Sequence, residues 1–339
     1  NLNVCYQGQP IIQELELKVE QGEIMALFGP SGGGKSTVLK AVAGLLEDVS
    51  GNIHIGDACV LSARKQVPPE QRHIGLIFQD YALFPHLTVA ENIAFGLTKL
   101  AKQERASKVQ DMLALIKMTQ YAERFPHELS GGQQQRIAIV RALACEPSLL
   151  LFDEAFSNID PQFRFELIAD IRALLKAQNI AALFVTHNQD EAFAFCDRIA
   201  ILNRGRIEQV GKAEALFRAP KTKFIAEFLG DGVWLSAQVQ GGDLLSSELG
   251  SLTYRGEQDL TALAGKEVEL YLRPHQLSLT ADDKSHIRVE QERFVGGGYE
   301  SILMLSDQHL CVHTQESFLN QTVAVRVNAT VTCVFPKSA

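Results

Sequence analysis

Two glycine-rich strings constrain this chain more than any other feature: GPSGGGKST from Gly29 to Thr37 and LSGGQQQR from Leu129 to Arg136. Before the first, EIMALF (Glu23 to Phe28) is a short apolar run that reads as a buried strand. From Thr37 onward, TVLKAVAGLL carries apolar residues at three- and four-residue spacing, as a helix does. A loop joining a strand to a helix start is suited to holding phosphate. Gly29, Gly32, Gly33 and Gly34 lack a Cβ, so the backbone can curl round an anion and aim N–H groups at its oxygens, and the helix adds its positive dipole end. Lys35 supplies a point charge for the β- and γ-phosphates, and Ser36 a hydroxyl placed to ligate magnesium. Ser31 belongs to the same loop, and Thr37 is expected on the α-phosphate side. A plain glycine-rich turn rarely meets the full G-x-x-x-x-G-K-S spacing between strand and helix, so nucleotide binding is expected.

SLLLFDE, from Ser148 to Glu154, is an apolar run closed by two carboxylates, the pattern of a parallel strand whose C-terminal end faces a ligand crevice. Asp153 is expected to hold magnesium, directly or through water, and Glu154 to polarise an attacking water as general base. In LSGGQQQRIAIVRALA, Ser130 suits a helix N-cap and Ile137, Val140, Arg141 and Ala144 fall along one face. That helix end could also bind phosphate, yet one nucleotide has no use for two complete cradles. Two chains arranged head to tail resolve the surplus.

With these motifs the chain closely resembles the ATP-binding subunits of ABC transporters, over essentially its whole length. The resemblance implies that Ser130, Gly131, Gly132 and Gln133 of one subunit close over ATP and Mg2+ held by the phosphate loop of another, in a homodimer with two equivalent sites. Tyr6 matches the aromatic residue that stacks on adenine. Gln79, in GLIFQD, matches the glutamine that senses magnesium and the attacking water. Asn158, Ile159 and Asp160, in SNID, match the loop coupling the two sites, and His187, in ALFVTHNQDEA, matches the histidine that contacts the γ-phosphate and positions the catalytic glutamate. Ala155 stands where proline is usual, Ile159 where leucine is, and Gly33 where cysteine or serine is frequent. None of these removes a ligand, so an active ATPase is implied, with a coupling loop loosened by the missing proline.

The fold expected is α/β: a P-loop ABC ATPase domain over 1–230, with an inserted helical subdomain at about 82–129, then a small all-β, OB-like domain over 231–339 that resembles the TOBE domain of importer ATPases and would regulate or support dimerisation. VELYL from Val268, VAVRV from Val323 and VTCVF from Val331 alternate with period two. Gly296, Gly297 and Gly298 are followed by no lysine–serine pair and read as a turn. YALFPHLTVAENIAFGL, from Tyr81, matches the importer form of the helical region, whose groove receives a short helix from the membrane subunit.

No run of about 18 apolar residues is present, so no spanning helix is expected, and the first residues lack a secretory pattern. The six cysteines are scattered, as reduced cytosolic thiols are. Cys311 and His313 alternate on one strand face, too few for a metal site. A net charge of −8 argues against a nucleic-acid footprint. The resemblance thus implies a peripheral subunit on the cytoplasmic face of the inner membrane, partnered by integral-membrane permease subunits and, through them, an extracytoplasmic substrate-binding protein. IGLIFQDYALFPHLTVAENIAFGL, SNID and the single short β-domain look most like ferric-iron importers; polyamine, sulfate, thiamine, phosphonate and sugar importers are the alternatives. A soluble ABC ATPase acting on nucleic acid or ribosomes is disfavoured by the single phosphate loop.

Overall fold

The computed structural model describes residues 1–256, 259–305, 308–328 and 330–337, in two compact units, Asn1–Ala213 and Glu214–Ala339. In the first unit, β1 (Leu2–Tyr6), β2 (Gln9–Leu15) and β4 (Val49–Gly51) form an antiparallel sheet, and β5 (Ile53–Ile55), β6 (Ala58–Ser62) and β7 (Lys65–Gln66) a smaller one. The central sheet comprises β3 (Ile24–Phe28), β8 (Ile74–Ile77), β9 (Leu149–Asp153), β10 (Ala181–Thr186), β11 (Arg198–Asn203) and β12 (Arg206–Gly211), ordered β12–β11–β3–β10–β9–β8. All its pairings are parallel except β11 with β12. Every residue of β3 and β10 is buried, which is why these strands read as unbroken apolar runs rather than alternating ones.

Register places Phe184 of β10 beside Phe152 of β9. With Phe156 and Phe195 they form a fully buried aromatic cluster, ring centroids 5.1–6.4 Å apart. Their edge-to-face and tilted contacts add about 0.5–1.5 kcal/mol per pair beyond the area they bury. This cluster lies under the turn that carries Glu154, so the acid is mounted on a rigid base.

Helix α1 (Lys35–Ala43) begins two residues before the Thr37 start read from periodicity, because Gly34, at φ 98°, makes the break that the helix follows. It ends at Gly44 in the left-handed conformation. The inserted region holds α2 (Val89–Ala94), capped by Thr88 and Glu91, and α3 (Lys102–Leu115). Their apolar faces pack on α4 (Gly131–Ala144) through Val89, Ile93, Leu113, Ile137 and Val140. Helices α5 (Pro161–Ala177) and α6 (Gln189–Phe195) complete the first unit. No helix among the described residues is long and apolar enough to cross a membrane.

The division falls after the first residue of α7 (Ala213–Arg218), and α8 (Lys223–Phe228) follows in the second unit, so the division precedes the change from helix to strand that suggests a boundary near 230. Its antiparallel sheets are β15–β14–β13–β16–β22, from Val233–Gly241 (β13), Leu244–Ser247 (β14), Gly250–Thr253 (β15), Glu267–Leu272 (β16) and Val334–Pro336 (β22); the pair Leu277–Ala281 (β17) with Val323–Val327 (β21); and Val289–Phe294 (β18), Tyr299–Leu305 (β19) and Gln308–Thr314 (β20). VTCVF is strand only from Val334; Val331 makes an isolated bridge to Tyr254. Gly296 takes φ 85° in the β18–β19 turn, as a glycine tract without a lysine–serine pair suggests.

Candidate nucleotide site

The phosphate loop is shaped by what its glycines approach. A Cβ on Gly29 would stand 2.1 Å from the Leu202 carbonyl oxygen on β11, so only glycine lets the loop leave β3 at this angle. Lys35 is buried and folds back, Nζ donating to the carbonyls of Gly29 (2.8 Å) and Pro30 (2.9 Å). Burial lowers its pKa, opposed by the nearby Glu154 and Asp153 carboxylates.

Ser36, in the first turn of α1, donates from Oγ to Asp153 Oδ1 at 3.2 Å, joining the helix start to the end of β9. Burial pushes the Asp153 carboxyl up, the Ser36 hydrogen bond pulls it back, and Glu154 raises it further. A hydroxyl and a half-buried carboxylate side by side are oxygen donors of the kind a small hard cation takes, with phosphate and water supplying the rest.

Glu154 occupies a left-handed turn at φ 48° and donates its N–H to Val185 of β10 at 3.0 Å. Its Oε1 lies 3.1 Å from His187 Nδ1. The pair forms because β9 and β10 are parallel neighbours and each residue follows its strand's C-terminal end. Ser157 closes the Glu154 turn, donating its Oγ (2.8 Å) and N–H (3.2 Å) to the Glu154 carbonyl, and Ala155 is fully buried beside the aromatic cluster. The turn is therefore tied down without the proline.

Residues that sequence reasoning passed over support His187. Thr186 Oγ1 donates to the buried Glu191 at 2.8 Å and accepts from the Asn188 N–H, while Arg164 lies 3.4 Å from Glu191. Asn188 caps α6 through the Glu191 N–H, and that N-cap pattern was the available signal.

The second glycine string builds a different cleft. Ser130 caps α4 in a reciprocal box with Gln133, exposing Gly131 and Gly132 at the helix start. An open cleft of about 740 Å³ is lined by Ser130, Gly131, Gly132, Gln133, Asn158 and Phe163 among others, and by none of residues 29–37. Asn158 Nδ2 donates to the Gln79 carbonyl at 2.9 Å, so the SNID loop and the Gln79 segment are joined. Gln79 and Tyr6 are exposed, Tyr6 at the end of β1. Cys311 and His313 both lie on β20, and no group of three side chains suited to a metal occurs among the described residues.

A curled phosphate loop after β3, an Asp–Glu pair at the end of β9 and, from the β10 between them, a histidine on the glutamate define a P-loop nucleoside triphosphatase. A family model for the ABC transporter matches residues 12–157. The sulfate/thiosulfate import ATP-binding protein of Yersinia pseudotuberculosis is 39% identical over 83% of this chain and 76% of its own length. The putrescine transport ATP-binding protein of Escherichia coli is 41% identical over 82% and 74%, and the spermidine/putrescine import ATP-binding protein of Photobacterium profundum 35% identical over 96% and 91%. A dimeric ATP-binding cassette in a post-hydrolysis state with ADP and Pi superposes with a TM-score of 0.54 at 29% identity, covering 62% of this chain and 96% of that one. This chain belongs to the ATP-binding proteins of the ABC transporter family: an ATPase domain followed by an all-β region of antiparallel sheets.

Proposed function

We propose that the chain is the ATPase subunit of an ABC importer that takes up polyamines. The ATPase role rests on the Glu154–His187 pair beside the Ser36–Asp153 pair. In this reading the phosphate loop holds ATP with Lys35 on the terminal phosphates, and Tyr6 stacks on the adenine. Ser36 and Asp153 hold Mg2+, whose chemistry is to neutralise charge on the phosphate oxygens. Glu154, oriented by His187, takes the proton of the attacking water, and Gln79 orders that water.

The separate cleft at Ser130–Gln133 supports a head-to-tail homodimer, since it lacks any phosphate-loop residue of its own chain. Closure on ATP would draw together permease subunits docked on the 82–129 region, at the cytoplasmic face of the membrane, and an extracytoplasmic binding protein would deliver the cargo. The 231–339 region would regulate or support the dimer.

The motifs alone had favoured ferric iron, but the relatives described are named for sulfate/thiosulfate and for polyamines. The spermidine/putrescine relative aligns with 96% of the chain, including most of the second unit, and this favours polyamine. Sulfate is the second reading, carried by the 39% identity of the sulfate/thiosulfate relative. Uptake of labelled putrescine, spermidine, sulfate and ferric iron is to be compared between wild-type cells and cells carrying Glu154→Gln. Loss of polyamine uptake alone is expected; loss of sulfate or iron uptake alone would overturn the cargo, and unchanged uptake of all four the importer reading.

A further inference from the structure

The turn after Gln79 is held in a costly conformation by the helix that carries the second glycine string. Tyr81 and Ala82 both lie in the left-handed region, at φ 63° and 46°. A side-chain-bearing residue in this region is strained and persists only where its surroundings impose it. Besides the Tyr81 N–H donated to the Phe78 carbonyl at 3.0 Å, one long side chain holds the turn. Arg141 of α4 donates from Nη1 to the Ala82 carbonyl at 2.6 Å and from Nη2 to the Tyr81 carbonyl at 3.1 Å, with its guanidinium 5.6 Å from the centre of the Phe84 ring.

The Tyr81 side chain touches α4 as well. Its phenol oxygen lies 3.4 Å from where a Cβ on Gly131 would stand, and it is buried with no hydrogen-bond partner among the described residues. Tyr81 therefore meets the start of α4 with its ring and Arg141, almost three turns further on, with its carbonyl. An arginine fork spent on two adjacent carbonyls fixes their orientation, which an ion pair would not do.

We propose that Arg141 is a positioning residue that locks the Tyr81–Ala82 turn to α4, so that Gln79 and the Ser130–Gln133 helix end move as one body. This rests on the reading above, in which Gln79 orders the attacking water and the helix end closes on a partner's ATP. The lock ties the two events: α4 cannot swing into the closed position without carrying the Gln79 segment along. Asn158 holds the Gln79 carbonyl itself, so the segment is gripped on both sides. The phosphate loop contributes nothing to the lock, and breaking it leaves ATP binding in place.

The test is steady-state ATPase kinetics of the chain for Gln79→Ala, Arg141→Met, Arg141→Lys and the Gln79→Ala/Arg141→Met double variant. Arg141→Met is expected to lower kcat roughly 10- to 100-fold with KM for ATP changed by less than about twofold. Arg141→Lys, which can hold one carbonyl, falls between it and wild type and is the variant read if the methionine does not fold. The double variant should be no slower than Gln79→Ala alone, as expected of residues acting through one group. Multiplicative losses, or an equal collapse of ATP affinity in both Arg141 variants, overturn the lock. Loss in Gln79→Ala with wild-type kcat in Arg141→Met refutes the lock alone; unchanged kcat in Gln79→Ala refutes the hydrolytic reading of Gln79 and the lock with it.

Discussion

Replacing Asp197 with asparagine probes a carboxylate that ties together the roots of both halves of the site. Asp197 accepts from the Ile24 N–H at the start of β3 (2.8 Å), from Arg172 Nη2 (2.7 Å) and from Lys176 Nζ. Strand β3 runs into the phosphate loop and α5, which carries both cations, runs out of the SNID loop. Burial raises the Asp197 pKa, but the Ile24, Lys176 and Arg172 donors outweigh it and leave it below the usual carboxyl value. Asparagine keeps the shape, loses the charge and turns an NH2 toward a donor. Hydrogen bonds to a charged group contribute about 1.5–3 kcal/mol each, and partly hydrated partners hold the net loss to about 2–3 kcal/mol, below the 3–5 of a fully buried broken pair. Because the folded pKa is depressed, this stability is fully present above the unfolded value of about 3.9 and is lost as pH falls through the lower folded value. Urea unfolding at pH 7, 5, 4 and 3 measures it. Trp234, the sole tryptophan, belongs to the second unit, so its fluorescence follows that unit while far-UV circular dichroism follows both. The expected outcome is a gap of about 2–3 kcal/mol at pH 7 and 5 that narrows below about pH 4, in the transition Trp234 does not report. A gap under about 0.5 kcal/mol at pH 7, or one undiminished at pH 3, would refute the reasoning.

Gly29→Ala drives a Cβ to 2.1 Å from a backbone oxygen that cannot rotate away. The loop must move, at about 1–3 kcal/mol, and titration with a fluorescent ATP analogue should show affinity down by roughly 5- to 150-fold; unchanged affinity would mean the loop leaves β3 differently in solution. Tyr6→Ala removes an exposed aromatic face whose stacking on a base contributes about 1–3 kcal/mol, so KM for ATP should rise by a similar factor while kcat holds. Tyr6→Phe should restore KM, and its failure to do so would assign the effect to the hydroxyl instead. His187→Ala leaves Glu154 without its partner at 3.1 Å, and kcat should fall by at least about 100-fold with ATP binding retained; loss of binding instead would make His187 a ligand of the nucleotide alone.

How much could be read in advance depended on how local each requirement is. The phosphate loop was legible because glycine positions, a lysine and a hydroxyl at fixed spacing state the need directly, and the strands holding Asp153 and the loop were placed within a residue of their ends. Arg141, Asp197 and Arg72 were not legible. Each is a charged residue with partners distant in sequence: Arg72, 2% exposed, donates to the carbonyls of Ala41 and Val42 at the C-terminal end of α1, and to the nearer Val67. No spacing rule announces an acceptor that exists only once the helix has docked. The missing proline misled for the same reason, since Ser157 and the aromatic cluster hold that turn from outside it. Cargo was least legible, because the ATPase chemistry is common to relatives named for an anion and for polycations.

The two glycine strings also differ in what they leave unmet, and that difference explains why one chain suffices for binding and not for the proposed turnover. In the first, Lys35 places two of its three N–H donors on its own loop's carbonyls, so its charge is already held within the loop that would meet ATP. In the second, the Ser130–Gln133 box satisfies the Ser130 and Gln133 N–H groups, while Gly131 and Gly132, in a first turn whose N–H groups have no acceptor within the helix, line an open cleft. Those groups need an acceptor, and their own chain's phosphate loop does not line that cleft. A phosphate carried by a second chain meets the need, and it is the one acceptor whose presence depends on bound ATP. Dimer closure in this reading is therefore conditional on nucleotide: the interface lacks an acceptor without it and loses one when the γ-phosphate departs.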